Sequence, residues 1–581
     1  MYYSSGNYEA FARPRKPMGV DGTSAYLVGA GLASLAAAAF LIRDGYMDGN
    51  RITILEASKL PGGALDGIKD ATKGFLIRGG REMVDRFPCL WDLYRSIPSL
   101  EVDNASVLDE FYWLNKDDPN YTMRRTTQNR GEPNDTDGKL GLSGRAQRQL
   151  LKLWLRRDED LYDKKIADVL GRDILDSNFW LYWRTMFGFE EWHSALEMKL
   201  YLHRFVDHIG GMPDLSTLKF TRRNQYESLT LPLVTWLEQH GVTIQYNTQV
   251  TNVVFDITAQ RKVARRIEWI QAGQPGGLDL KDHDLVFVTN GSCVENSRWG
   301  DHHSAPTFDP QIREGSIWSL WCNIAKQDPS FGRPDKFCTQ TNKTTWESAS
   351  LTTLDGNVPG YIEKICQRDP FSGRVVTGGI VTVRDSSWLL SWTVNRQPQF
   401  KAQPHDKLVV WIYGLFVDRP GDFVTKPMKE CSGEEITQEW LYHLGVPIEQ
   451  IPELAAKSAT CMPCIMPFIT AFLVPRRAGD RPAVVPEHAV NFAFLGQFAQ
   501  TERDTIFTTE YSVRTAMEAV YTLLGIERGV PEVWASAYDI RVLLDAAAKI
   551  RDGKKLKVPG PIMKRLDRTV IGELLRQCQL V

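Results

Sequence analysis

The stretch Ala25–Ser34 constrains the fold more than any other part of the chain. The short apolar run Ala25–Val28 predicts a buried strand that leads into the glycine-rich turn, and the helix-forming segment Ala33–Ile42 follows. Gly29 permits a sharp turn. Gly31 lets the backbone approach a pyrophosphate at the helix N-terminus, where free N–H groups gather, and Ser34 stands where a third small residue would allow close packing. The pattern predicts a strand, a tight turn and a helix of a dinucleotide-binding fold.

An acidic residue follows at the expected distance. A second apolar strand is predicted over Arg51–Leu55, and Glu56 at its end would accept hydrogen bonds from an adenosine ribose. Sites for NAD and FAD share these features, so this region alone does not separate them. The 18 residues Ala25–Ile42 carry no charge and meet the length of a membrane span. Because the two glycines divide them, two buried elements are expected instead.

Further segments rich in glycine and small residues extend this site. Two of them are the loops 60–67 and 78–83. Two others are turns that follow predicted strands, within 284–292 and within 492–498, and the second leads to helix Tyr511–Leu524. The first two would either run along the cofactor or be flexible loops. A late return of the chain to the nucleotide is typical of FAD folds and unusual for simple NAD domains. The predicted cofactor residues are Gly29, Gly31, Ser34, Glu56, Gly62, Gly63, Asp66, Arg78, Gly79, Gly80, Asn290, Gly291, Ser292 and Gly496.

Length and composition describe an ordinary multidomain protein. A chain of 581 residues predicts two to four domains, and a net charge of −2 gives no field that would attract nucleic acid. Nine scattered cysteines and an unaccompanied Cys461-Met-Pro-Cys464 argue against disulfides, redox use and zinc, and no histidine spacing suggests a metal site. The amino terminus lacks the features of a signal peptide, so a cytoplasmic location is expected.

The predicted architecture is α/β: a Rossmann-like FAD-binding core, a mixed α+β substrate domain, a helical insertion and a helical C-terminal tail. A surface loop or flap is expected at 114–143, an aromatic helical segment at 144–205 that lines a lipid-sized pocket or fills a core, and strands at Leu408–Phe416 and Ile469–Val474. The predicted units are 1–113 (FAD-binding, first part), 114–224 (loop and helical insertion), 225–300 (FAD-binding, second part), 301–485 (substrate domain), 486–530 (FAD-binding, last part) and 531–581 (tail).

The tail differs from the rest of the chain. Residues 541–581 hold ten Lys/Arg and four Asp/Glu, and apolar residues recur at helical spacing from Ile562 to Cys578. An amphipathic helix on an anionic membrane would show this pattern. An ordinary helix docked on the body or on a second copy would show it equally well.

Two side chains are candidates for acid–base chemistry. Glu82 follows Gly79-Gly80-Arg81 and could be held beside the cofactor, and Tyr201 shares a predicted helix face with Met198 and Phe205. A carboxylate can activate water, and a phenol can donate a proton. A surface carboxylate and a core tyrosine are the alternatives.

At these residues the chain closely resembles the oleate hydratases, formerly called myosin-cross-reactive antigens. The matching segments cover most of the chain and several are long. They are Tyr2-Tyr-Ser and Gly6–Phe11, Ala25–Ser34, Pro61–Gly67, Arg78-Gly-Gly-Arg-Glu-Met83, Met186-Phe-Gly-Phe-Glu-Glu-Trp-His-Ser194, Trp392-Thr-Val-Asn-Arg-Gln-Pro398 and Gly496–Glu502.

The resemblance implies an FAD-dependent enzyme that adds water across the cis-9 double bond of oleic acid, giving 10-hydroxystearic acid without net electron transfer. By the same resemblance, Tyr201 protonates the alkene and Glu82 activates or orients the water. Gln225, Thr393 and Asn395 match positions that hold the fatty-acid carboxylate, whereas Gln399 stands where the family pattern has histidine. The family also implies a homodimer and a membrane-associating C-terminal helix, which would place the protein peripherally on the inner face of the membrane.

Three other functions share the same core. A flavin oxidoreductase, such as a desaturase or an amine oxidase relative, would give an oxidised product or consume oxygen. A lipid-binding protein with structural FAD would leave oleate unchanged. A positional isomerase acting on linoleate is a near neighbour of the hydratase.

Overall fold

The computed structural model describes residues 14–65, 67–70, 74–80, 82–134, 136, 138–533, 536–556, 558–566 and 569–581. The predicted cofactor residue Asp66 and the segment Tyr2–Phe11 lie outside these residues. Parallel and antiparallel sheets, covered by helices, give the mixed α/β fold that the sequence predicts. Over the described ranges, no helix is both long enough and apolar enough to cross a bilayer.

A five-stranded parallel sheet, called here the first sheet, carries the glycine turn. In spatial order its strands are Phe492–Leu495, Leu285–Thr289, Ala25–Val28, Ile52–Leu55 and Thr243–Gln245. Helices Leu32–Arg43 and Thr509–Leu524 pack together beside it. The run of alanines in the first of these helices is fully buried, so the helix can lie close to the strands. The predicted chain order of strand, turn, helix and strand is confirmed.

An eight-stranded sheet, called here the large sheet, forms the second layer. In spatial order its strands are Arg298–Trp299, Ala459–Met466, Trp346–Thr353, Val409–Gly414, Ser391–Thr393, Val381–Val383, Thr126–Gln128 and Glu132–Pro133. Its neighbours pair antiparallel except Val381–Val383 with Thr126–Gln128. Two small antiparallel sheets accompany it: Thr248–Ile257, Lys262–Gln271 and Gln274–Asp279 in one, Gly67–Asp70 and Gly74–Ile77 in the other.

The remaining helices surround these sheets. The segment predicted as a helical insertion contains four of them, which pack through buried aromatic side chains. The helices are Pro88–Tyr94, Val107–Asp117, Gly144–Leu155, Arg172–Leu175, Asn178–Phe187, Ala195–Arg204, Leu231–Gln239, Ile317–Ala325, Asp335–Cys338, Thr341–Thr344, Pro359–Cys366, Gly433–His443, Ile451–Ser458, Ile540–Ile550, Gly560–Leu566 and Val570–Gln577.

Two sequence predictions of local structure are wrong. The region 114–143 is not only a surface loop: Thr126–Gln128 is a strand of the large sheet, and Arg125 before it is buried. Ile469–Val474 is not a strand but contains a 3₁₀ turn, Ala471–Leu473, all of it buried. A short continuous apolar run fits a buried turn as well as a buried strand, so hydrophobicity alone does not separate them.

The tail is divided where one amphipathic helix was expected. Helix Gly560–Leu566 ends, and the hydroxyl of Thr569 caps the start of Val570–Gln577. Leu575 packs against helix Ile540–Ile550 and is 7% exposed, whereas Val570 is 72% exposed. The apolar side chains of the tail therefore divide between contact with the protein and contact with solvent.

Candidate active site

The glycine turn forms an open cradle at the carboxyl end of the first sheet. Gly29 has φ +88°, a conformation that favours glycine, and its N–H donates to the Leu55 carbonyl at 2.8 Å. Gly31 is the N-cap of helix Leu32–Arg43, and no side chain caps this helix. A Cβ added at Gly31 would meet no atom within 4 Å. The free N–H groups of the helix therefore face space that an anionic group can enter.

Glu56 is fixed at the end of the neighbouring strand. The N–H of Ala30 donates to its Oε2 at 2.6 Å, and the N–H of Ser58 donates to its Oε1 at 2.7 Å. The side chain also lines the cavity beside the cradle. Because a carboxylate has about four acceptor positions, two backbone hydrogen bonds leave capacity for a ribose.

The second glycine loop lies against the first. Gly62 donates its N–H to the Ala30 carbonyl at 2.8 Å, and a Cβ on Gly63 would lie 3.2 Å from the Gly31 Cα. The close approach of the two loops explains why small residues stand in both. Of the predicted cofactor residues, those that line the same cavity are Gly29, Gly31, Glu56, Gly62, Gly63, Arg78, Gly79, Gly80, Gly291, Ser292 and Gly496.

Ser34 and Asn290 do not line this cavity and lie behind its wall. The Ser34 hydroxyl is 3.1 Å from Thr289 Oγ1, so it joins the helix to the neighbouring strand. Asn290 is buried, and neither its side-chain oxygen nor its nitrogen has a hydrogen-bond partner among the described residues. A buried amide with unused donors and acceptors next to the cradle fits a site that is completed by a polar ligand.

The cradle forms one part of a cavity of about 710 Å³, and the far wall of this cavity is largely aromatic. This volume lies within the usual range for sites that bury a small-molecule ligand. The aromatic residues of the helical insertion divide between the two roles that the sequence left open: Phe187 and Phe205 line the cavity, whereas Phe179, Trp180 and Trp183 are packed in the core. The large sheet contributes Trp346, Trp411 and Tyr413 to the wall.

Glu82 is part of this wall and lies two residues after Gly80 in the chain. Its Oε1 is buried and has no hydrogen-bond partner among the described residues. Burial raises the pKa of Glu82 to about 7, although the positive charge of Arg125 acts to lower it. A carboxylate that titrates near neutral pH can accept a proton from water and return it.

Tyr201 lines the same cavity from helix Ala195–Arg204. The side chain is 1% exposed and lies edge-on to Phe187 and Phe189, with ring centroids 5.2 and 5.0 Å apart. Its hydroxyl donates to the Ile506 carbonyl at 2.6 Å. Burial, reinforced by the negative charge of Glu197, holds the pKa of the Tyr201 phenol well above its ordinary value. The phenol is therefore neutral and carries its proton.

A small polar recess adjoins the cavity on the side of Arg78. Gln225, Asn395 and Gln399 line it together with Arg223, which the sequence reasoning missed. Thr393 lies behind the recess, with its hydroxyl 3.0 Å from Thr377 Oγ1. Three of the four predicted carboxylate-binding residues are thus brought together from two distant segments of the chain. The sequence signal for Arg223 is the basic pair Arg222-Arg223, which precedes Asn224 and Gln225.

Comparison with known proteins identifies the family. The model of the MCRA family matches residues 22–521. The chain belongs to the MCRA family. It is 49% identical to the oleate hydratase of Streptococcus pyogenes serotype M49 (strain NZ131), with both chains covered completely. It is 30% identical to the linoleate hydratase of Lactiplantibacillus plantarum, over 87% of this chain and 94% of the relative.

Solved structures at low identity are also similar to this MCRA family member. A putative protoporphyrinogen oxidase from Exiguobacterium sp. 255-15 aligns with a TM-score of 0.47 at 15% identity, covering 87% of this chain and 99% of the other. A CLA-producing fatty acid isomerase from P. acnes aligns with a TM-score of 0.43 at 12% identity, covering 86% and 98%.

Proposed function

We propose that this protein is an FAD-dependent hydratase that adds water across the cis-9 double bond of oleic acid and related unsaturated fatty acids, giving 10-hydroxy products. The observation that carries the proposal is the joint placement of Glu82 and Tyr201 on one aromatic cavity that opens from a dinucleotide cradle. Two hydratases of unsaturated fatty acids, 49% and 30% identical to this chain, support the reaction type.

The cradle fits FAD. The N-terminus of helix Leu32–Arg43 would face the pyrophosphate, Glu56 the ribose, and the segments at Gly79 and Gly291 the rest of the cofactor. Asn290 offers a buried amide without a partner at this site. When bound, the flavin would supply a polar environment to the site, and hydration needs no net electron transfer.

The two side chains have complementary protonation states for hydration. Tyr201 gives its phenolic proton to one alkene carbon, and the oxygen of water bonds to the other carbon while Glu82 takes the proton that water releases. A proton passed back from Glu82 to the phenolate restores both groups, so atoms and charge balance. Because the Tyr201 hydroxyl donates to the Ile506 carbonyl, the substrate must draw it away from that partner before the proton can move.

The polar recess is the proposed site for the fatty-acid carboxylate. The amide side chains of Gln225, Asn395 and Gln399 line it, and Thr393 supports it from behind. Arg78 and Arg223 supply positive charge, and Arg223 also pairs with Glu101 at 3.4 Å. Histidine at position 399 would add a donor that can be charged, whereas glutamine offers a neutral amide. The arginines of the recess, Arg78 and Arg223, therefore carry more of the attraction for the carboxylate in this chain.

The decisive experiment is mass spectrometry of oleate incubated with enzyme and FAD in ¹⁸O-labelled water. Hydration adds one water whose oxygen carries the label. An unlabelled or oxidised product, or oxygen consumption, would favour an oxidoreductase. A shifted double bond without added mass would indicate an isomerase, and bound but unchanged oleate would indicate a lipid-binding protein.

Substitution of the two side chains tests their roles. Glu82→Gln and Tyr201→Phe should each reduce turnover at least about 100-fold, the usual contribution of a general acid or base, while FAD remains bound. Tyr94→Phe is the matched control, because Tyr94 is a buried tyrosine whose hydroxyl also donates to a backbone carbonyl, that of Leu229 at 3.1 Å. Full activity in either test variant would remove that residue from the mechanism.

We also propose that the protein is a homodimer of the cytoplasm that contacts the inner face of the membrane through its tail. Ile562, Val570 and Ile571 are exposed on a segment of the chain with an excess of positive charge. Deletion of residues 562–581 should lower sedimentation with anionic vesicles while turnover of soluble substrate is retained. Undiminished sedimentation would reject the membrane contact.

A further inference from the structure

Arg125 is a buried cation close to the proposed catalytic carboxylate. Arg125 is 5% exposed. It directly precedes the strand Thr126–Gln128, in the part of the chain that the sequence predicts as a surface loop. It does not line the cavity. Its guanidinium donates to the Ile380 carbonyl at 3.3 Å and to Thr382 Oγ1 at 3.0 Å. On the other side it donates to the Tyr182 carbonyl at 3.1 Å and to Thr185 Oγ1 at 2.9 Å.

All four of these acceptors are neutral. Within the described part of the chain, no carboxylate lies within ion-pair distance of the Arg125 guanidinium, and its Nε has no hydrogen-bond partner. Burying a charge without a counter-charge is costly, and buried arginines usually face a carboxylate. Other buried arginines of this chain do so: Arg204 bonds Asp504 at 3.1 Å and Arg481 bonds Glu197 at 2.8 Å.

Glu82 is a buried carboxylate without a cation in direct contact among the described residues, and both side chains lie against the same segment. A Cβ added at Gly379 would lie 3.6 Å from Glu82 Oε1, and the next residue, Ile380, gives its carbonyl to Arg125. Oε1 of Glu82 is itself buried without a hydrogen-bond partner among the described residues. The attraction of Arg125 for Glu82 therefore acts across the short segment Gly379–Ile380 and not through a direct ion pair.

We propose that Arg125 is a positioning residue whose buried charge stabilises the ionised carboxylate of Glu82 inside the aromatic cavity. This inference rests on the proposed function, in which Glu82 takes a proton from water. An ion pair in direct contact would hold Glu82 permanently ionised and would occupy the oxygen that must receive the proton. A charge held one layer behind the cavity wall stabilises the carboxylate and leaves Oε1 open to water.

Four other described groups near the pair do not replace this charge. The phenols of Tyr182 and Tyr413 contact the Arg125 region, and the Tyr413 hydroxyl donates to the Thr185 carbonyl. His208 also lines the cavity, but burial lowers the pKa of His208 to about 4, so it is neutral near pH 7. The positive charge of Arg184 interacts with the carboxylates of Glu190 and Glu191.

The test measures the protonation of Glu82 directly in the FAD-bound protein without substrate. Infrared spectra of protein labelled with ¹³C-glutamate, compared with Glu82→Gln, isolate the carboxyl band, and its pH titration gives the midpoint. The wild type should titrate near the pKa of about 7 that burial produces. Arg125→Met should raise the midpoint by about one pH unit or more, as expected for loss of a nearby opposite charge. Arg125→Lys should restore part of this shift.

Arg130→Met is the matched control. Arg130 lies in the same segment. Among the described residues, its guanidinium bonds only the backbone carbonyls of Tyr442 and Val446, and it stacks on the Tyr442 ring. The Glu82 midpoint should not change in this variant. If Arg125→Met does not fold, Arg125→Gln, which keeps two donors without the charge, is used for the same titration.

An unchanged midpoint in a folded, FAD-bound variant without charge at position 125 would overturn the inference. The pH dependence of turnover separates this outcome from failure of the proposed function. If Glu82 is the base, the acidic limb of the pH–rate profile moves upward together with the infrared midpoint. If the midpoint moves but the pH–rate profile does not, Arg125 controls Glu82 and Glu82 is not the base.

Discussion

Replacement of Glu347 by leucine should stabilise this protein. Glu347 lies in strand Trp346–Thr353 of the large sheet and is 0% exposed. Neither of its carboxylate oxygens has a hydrogen-bond partner among the described residues. Its side chain shares a face of the strand with Ala349 and Leu351, which belong to an apolar core. Burial raises the pKa of Glu347 well above its ordinary value, so the side chain is neutral when the protein is folded.

The expected change in the free energy of unfolding follows from the cost of keeping the Glu347 carboxyl protonated. Keeping a group with an ordinary pKa of 4.5 protonated at pH 7 costs about 3 kcal/mol, since each pH unit is worth about 1.4 kcal/mol. Because the folded pKa is raised, the unfolded chain releases the proton first. Stability therefore falls as the pH rises above about 4.5. The gain in the free energy of unfolding from Glu347→Leu should therefore be about 3 kcal/mol larger at pH 7 than at pH 4.5.

Urea unfolding of the FAD-bound protein, followed at pH 4.5 and pH 7, measures this difference. Glu347→Gln removes the charge and keeps the shape, so it should lose the same pH dependence. Glu439 is the matched opposite case: it is equally buried, but it accepts the N–H groups of Asp422, Phe423 and Val424 at 2.8–2.9 Å. Glu439→Gln should destabilise the protein. A stability difference for Glu347→Leu that is independent of pH would refute the assignment of a neutral, unpartnered acid.

Two further predictions concern the cradle and a buried ion-pair network. Gly31→Val should leave the protein folded, because Gly31 has φ −74°, which L-residues adopt. The added side chain should fill the cradle and abolish FAD binding. Flavin absorbance after gel filtration measures this, and retained flavin would contradict it. Glu197→Gln should destabilise the protein by about 3–5 kcal/mol near pH 7, because Arg476 and Arg481 both bond its Oε1. Burial acts to raise the pKa of Glu197, but the two guanidinium groups together lower it by more. The stabilisation that Glu197 provides should therefore be lost as the pH falls. Thermal melting across pH 3–7 tests this, and equal acid sensitivity of wild type and variant would argue against it.

The nucleotide cradle can be predicted from local sequence. The strand Ala25–Val28 was predicted with its observed bounds, and helix Leu32–Arg43 was predicted within one residue at each end. Such elements depend on near neighbours in the chain: apolar runs set the strand, alanines favour the helix, and glycine permits the left-handed turn at Gly29. The acid at Glu56 could be placed because a βαβ unit fixes its distance along the chain from the turn.

Which distant side chains share a cavity, and which of them are buried, depends on how the whole chain folds. Arg125 belongs to a polar stretch without periodicity, and it is buried because Thr126–Gln128 pairs with a strand more than 250 residues later. The polar recess likewise joins Gln225 to Asn395 and Gln399. Local sequence sets backbone preference, but burial and charge pairing depend on how the chain closes upon itself. The raised pKa of Glu82 and the neutral Glu347 therefore follow from the fold alone.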